Sequence, residues 1–133
     1  MSQSMIVSFP GGKRVDAAYD QFTIQTDQNG KNGGDGSAPE PFDLFLASLA
    51  TCSGVYVLGF CQKRGLPTDG VSVVQSWQRD DKSKKIVRIT IRVRVPESFP
   101  EKYLKAIERS VNQCSVKRTI LDPPEFVVEA VVE

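Results

Sequence analysis

The side chains of this sequence best suited to covalent chemistry are three cysteines, Cys52, Cys61 and Cys114, because the chain contains no histidine. That absence excludes Ser-His-Asp and Cys-His nucleophiles, the HExxH zinc site and every histidine-ligated metal. Three thiols cannot complete a four-thiolate zinc site within one chain, and no metal or organic cofactor is expected. An odd number of cysteines with no CxxC does not spell a secreted disulfide framework, so free thiols are expected. The opening MSQSMIVSFP has no basic n-region and too short an apolar run for a signal peptide, which points to a reducing cytoplasm. There a thiolate can act as a nucleophile, provided its surroundings lower its pKa.

The elements around the cysteines constrain which of them can meet. From Pro41 the pattern reads as one long helix of roughly 24 residues, about 36 Å, with proline in its first turn. Lys63 and Arg64 suit its C-terminal dipole, and Gly65 ends it. Cys52 lies inside this helix, sharing a face with Ser48, Leu49, Val55 and Tyr56. Cys61, nine positions on, points half a turn away and roughly 13–14 Å along the axis, so the two cannot pair within one chain. Cys114 belongs to a second helix expected to run from a capping box at Ser98 through Leu104, Ile107 and Val111 and to end near the cysteine. Tertiary packing could bring it to Cys52. On the residues alone, three buried structural cysteines and a reactive pair both stay open.

The remaining segments supply a scaffold. With 133 residues, the chain fits a single domain spanning 1–133. Ser4–Phe9, Arg14–Tyr19 and Gln21–Thr26 read as strands, the first two joined by the turn Pro10-Gly11-Gly12-Lys13, and Asp27–Pro39 as a Gly/Asn/Asp loop. Its GGDG, Gly33–Gly36, lacks the GK[ST] of a phosphate cradle. Val71–Gln78 and Lys85–Val95 read as a hairpin across the charged turn Arg79–Lys84, and Glu125–Val132 as a final strand. In the hairpin, Val87, Ile89, Ile91 and Val93 alternate with Arg88, Thr90, Arg92 and Arg94, which gives a core face and a wet face. Those arginines read as a solvated face and not a polyanion stripe, because the net charge is only +1; no nucleic-acid partner is expected.

Leu44–Cys61 carries no charged residue and reaches the lower length limit of a membrane span. Ser48, Thr51, Ser53, Gly54 and Gly59 dilute its hydropathy, so a buried helix is expected rather than a span. A helix apolar nearly all round needs cover that one small sheet cannot give, and a second copy of the chain is the natural source: a homodimer with this helix at or near the interface.

The run Gly33–Val57 (GGDGSAPEPFDLFLASLATCSGVYV) and the segment Cys114-Ser115-Val116 resemble the OsmC/Ohr family of peroxide-related thiol proteins. The resemblance implies an α+β fold in which two β-sheets wrap around long central helices in an intertwined homodimer. It implies that Cys52 matches the peroxidatic cysteine and Cys114 the resolving one, with Cys61 structural. The function it implies is reduction of organic hydroperoxides through a Cys52 sulfenic acid and an intrachain disulfide, which a dithiol such as dihydrolipoamide then reduces. The organic hydroperoxide resistance branch also carries a Gly-Gly-Arg turn and a glutamate ten positions before the cysteine. Here Lys13 takes the arginine position with Arg14 beside it, and Phe42 replaces the glutamate. Lys13, Arg14 or surrounding dipoles are then the candidates to activate Cys52. The departures bring the chain closer to OsmC-like members and leave a second reading, a non-catalytic module that binds a small apolar ligand or senses redox state.

Overall fold

The alternating stretches near the N-terminus form a three-stranded antiparallel meander, β1 (Ile6–Gly11), β2 (Arg14–Tyr19) and β3 (Phe22–Thr26), in the order β1-β2-β3. The computed structural model describes residues 3–133 of the chain; Met1 and Ser2 of the opening segment lie outside them. The β1–β2 turn requires its glycines: Gly12 has φ +59°, a conformation that suits a residue without Cβ. The chain divides into two compact units, Met1–Ala47 and Ser48–Glu133.

In the N-terminal unit the loop after β3 is organised by one buried carboxylate. Asp27 accepts hydrogen bonds from the Ser37 hydroxyl at 2.6 Å, the Ser37 N–H at 3.0 Å and the Gln28 N–H at 2.7 Å. These hydrogen bonds, the Ser37 hydroxyl first, hold its pKa down at about 2. Gly34 is pressed against this knot, where a Cβ would meet the Gln28 carbonyl oxygen at 2.0 Å. The loop contains a short 3₁₀ turn, Gly30–Asn32, capped by the Asn29 side chain, which the sequence reading did not resolve. It leads into α1 (Pro41–Lys63), where the Asp43 carboxylate accepts from the Glu40 N–H.

The C-terminal unit begins within α1. The helix is followed by the hairpin β4 (Ser72–Arg79) and β5 (Ile86–Arg94), then by a 3₁₀ turn, Glu101–Tyr103, α2 (Leu104–Val111) and α3 (Ser115–Leu121). Register pairs such as Val73↔Val93 and Gln75↔Ile91 put one hairpin face toward the core, while Arg88, Arg92 and Arg94 are exposed on the other, as expected; Val87, assigned to the core face, is instead 64% exposed, at the register shift opposite Gln78 and Arg79. The core joins Val57, Phe60 and Cys61 of α1 to Phe99, Ile107 and Val111, with Val73, Ile91 and Val93 of the sheet packed against it. Arg64 closes one side, its guanidinium 3.6 Å from the centre of the Phe60 ring.

Three sequence expectations need correction. The capping box at Ser98 does not form: the turn starts at Pro100, with no side-chain cap bond. A proline at that point holds the backbone extended and delays the α-helix to Leu104. The second helix does not run on to Cys114; it ends at Val111, the Asn112 and Gln113 N–H groups bonding back into its last turn, and a new helix begins after Cys114. Glu125–Val132 is irregular rather than a strand, and Phe126, Val127 and Val128 are exposed, because the described residues offer this segment no ladder partner.

α1 is buried on one stripe only. Leu49, Ser53, Val57, Phe60 and Cys61 are covered, whereas Val55 is 64% and Leu58 44% exposed. By length and composition this helix could cross a membrane, and 33% of its most apolar stretch is buried within the chain.

Candidate functional site

Cys52 is placed midway along α1, half-buried, while Cys114 and Cys61 are buried, and all three are free thiols. Cys61 lies in the apolar core with no exposed surface, on the opposite side of the helix, as its half-turn offset predicts. Cys114 comes to Cys52 from the other end of the unit. It is the residue before α3, with ψ 122°, so the chain turns sharply there and directs the first residues of α3 at the α1 thiol.

The contacts at Cys52 come from that short turn. The Ser115 hydroxyl lies 3.7 Å from the Cys52 sulfur, and the Cys114 thiol is within hydrogen-bonding reach. The backbone N–H groups of Ser115 and Val116 also bond to it. They are first-turn donors that have no carbonyl partner inside their own helix, so a sulfur anion can take them up. Burial pushes the Cys52 thiol up, but hydrogen bonds from Cys114, Val116 and Ser115 outweigh it and bring the pKa from 9.0 down to about 7. Cys114 moves the other way: burial and the neighbouring Cys52 sulfur both raise it. The pair therefore holds its negative charge on the more accessible sulfur and its proton on the buried one.

Cys52 and Cys114, whose meeting the sequence leaves to tertiary packing, come together in the structure. Ser115 joins them as a contact that the sequence signals only as a polar residue directly after Cys114. Lys13 and Arg14 lie at the β1–β2 turn of the N-terminal unit, where Arg14 approaches Asp16 at 4.0 Å. Among the described residues no cluster of His, Cys, Asp or Glu could hold a metal ion.

In the same unit an apolar groove of about 720 Å³ is lined by residues of β5, α2 and α3 and by Leu49 of α1. Leu49, one turn before Cys52, lines it together with Ile91, Ile107, Val111, Lys117 and Ile120.

Two small antiparallel sheets and three α-helices, one of them long, make an α+β chain. The chain belongs to the OsmC-like protein family, whose model matches residues 34–129. Solved structures agree on the fold. An osmotic stress induced and detoxification response protein from Psychrobacter arcticus superposes with a TM-score of 0.72 at 21% identity, over 90% of this chain and 88% of that one. An OsmC-like protein from Mycoplasma pneumoniae gives 0.68 at 14% identity, over 92% and 89%. An organic hydroperoxide resistance protein OsmC from Legionella pneumophila, described as a predicted redox protein, gives 0.55 at 16% identity, over 88% of each chain. No curated protein matches the sequence.

Proposed function

We propose that the chain is a thiol peroxidase for organic hydroperoxides, a reading carried by one observation: an acidified, half-buried Cys52 held against the thiol of Cys114. The Cys52 thiolate attacks the terminal peroxide oxygen; the O–O bond breaks, and with one proton taken up the products are an alcohol and Cys52 sulfenic acid. The Cys114 sulfur then displaces hydroxide from that sulfenic acid, forming the disulfide and releasing water. A small dithiol returns both cysteines to thiols as it is itself oxidised to a disulfide. The second reading, a binding or redox-sensing module, is favoured by the apolar groove and by Phe42, 48% exposed, where a family branch has glutamate.

The partners of this reading are a second copy of the chain, a hydroperoxide and a dithiol reductant, in the cytoplasm; no nucleic acid, membrane or cofactor takes part. Exposed apolar residues support the homodimer: Val55 and Leu58 on α1, Ile6 and Phe9 on β1, and the unpaired tail from Phe126 to Val132. A second copy would cover them and offer the tail a sheet edge. The family match runs across the boundary between the two units, which supports their acting as one domain, 1–133.

The test is tert-butyl hydroperoxide with dithiothreitol. Catalytic consumption and a mapped Cys52–Cys114 disulfide after one equivalent of peroxide are expected. Cys114→Ser should react once and stall at oxidised Cys52, and Cys52→Ser should not react. A Cys52→Ser protein as fast as the wild type overturns the peroxidase reading, and a single stoichiometric oxidation without turnover favours the module.

A further inference from the structure

Two neighbouring thiols raise the question of which one carries the charge, since burial alone would protonate both. We infer that Ser115 biases the pair toward Cys52, and away from Cys114, as its nucleophile, by donating its hydroxyl and its backbone N–H to the Cys52 sulfur. The inference deepens the proposed chemistry and rests on it for its meaning, though not for its test.

The placement of Ser115 fits this role better than a structural one. It is exposed, so its side chain contributes little to packing. Its carbonyl accepts the Thr119 hydroxyl at 2.8 Å, and its own hydroxyl faces the Cys52 sulfur at 3.7 Å. As the first residue of α3, its N–H is not needed by the helix; the first bond inside this turn runs from the Arg118 N–H to the Cys114 carbonyl. Both donors reach Cys52. The backbone groups acting on Cys114 are the N–H groups of Val116 and Lys117 instead. The asymmetry of the pair is thus set within one turn of chain, and Ser115 is the member of that turn whose two donors serve Cys52 alone of the two thiols.

This position permits a clean experiment. Proline is favoured at the first position of a helix, where it supplies neither an N–H nor a hydroxyl. The residue before a proline must be extended, and Cys114 already has φ −47° and ψ 122°. Ser115→Pro therefore removes both donors while suiting the local backbone; Ser115→Ala removes only the hydroxyl, and Ser115→Thr retains both donors.

The measurement is the rate of Cys52 alkylation by iodoacetamide against pH, with the labelled cysteine identified by mass spectrometry and folding checked by circular dichroism. At pH 6, Ser115→Ala should slow labelling about threefold, water replacing part of the lost bond, and Ser115→Pro about tenfold. Both profiles should move to higher pH, and Ser115→Thr should follow the wild type. Unchanged profiles in Ser115→Ala and Ser115→Pro overturn the inference, as does a Ser115→Thr profile that moves with theirs. If Ser115→Pro fails to fold, the Ala and Thr pair decides alone. Peroxide turnover of the wild type is read separately: shifted profiles without turnover refute the peroxidase reading and leave the Ser115 assignment standing, whereas turnover with unshifted profiles does the reverse.

Discussion

Acidification should silence Cys52 along a curve that an ordinary thiol does not follow. With its pKa brought down to about 7, the thiol is half ionised at pH 7, against about 1% for one at 9.0, roughly a fiftyfold gain in thiolate. A less basic thiolate is also a weaker nucleophile, by roughly eightfold over that interval for a Brønsted slope of about 0.45, which leaves a net advantage of about sixfold. The shape is more decisive than the absolute rate, because Cys52 is half-buried and the alkylating reagent reaches it less freely. From pH 8 to pH 5 the rate should fall about ninetyfold, with a plateau above pH 8, whereas an ordinary thiol falls roughly 900-fold and is still climbing at pH 8. Alkylation by iodoacetamide, quenched at intervals and mapped by mass spectrometry, measures both arms. A Cys52 rate that rises about fiftyfold between pH 7 and pH 9, as for a thiol at 9.0, instead of about twofold would refute the hydrogen-bonded thiolate, and preferential labelling of Cys61 would reverse the assignment of the reactive cysteine.

Other outcomes follow from the same contacts. Cys61→Ala should leave Cys52 labelling unchanged but open a small void beside Phe60 and Ile107, costing about 1–2 kcal/mol in denaturant unfolding. Asp27→Asn should lower stability at neutral pH. Because the folded pKa of Asp27 lies below its unfolded value of 3.8, the contribution is complete above that value and is lost as pH falls through about 2. The gap between variant and wild type should therefore close across that window. Gly34→Ala should destabilise the N-terminal unit, because the Gln28 carbonyl that its Cβ would strike is backbone and cannot swing aside. Light scattering after gel filtration should show a dimer; a monodisperse 14.7 kDa species at micromolar concentration refutes it.

Where a local signal was complete, the sequence determined the element. Proline at its start and Gly65 beyond its end bound α1, which runs Pro41–Lys63. Period-two alternation identified β4 and β5, and the glycine turn joined β1 to β2. The opposition of Cys61 to Cys52 also followed from helical geometry alone, since both lie on one rigid element. Three features depended on contacts between distant residues, and only the tertiary structure decided them. The apolar stripe Leu104, Ile107, Val111 and Cys114 keeps helical spacing across a break at Asn112–Gln113, so periodicity could not distinguish one helix from two. The tail Glu125–Val132 has strand composition, but a strand exists only where a second one offers hydrogen bonds. The acidity of Cys52 belongs to a turn 62 to 64 positions later in the chain, because the donors that lower its pKa are brought to it by packing and are not encoded in its own helix.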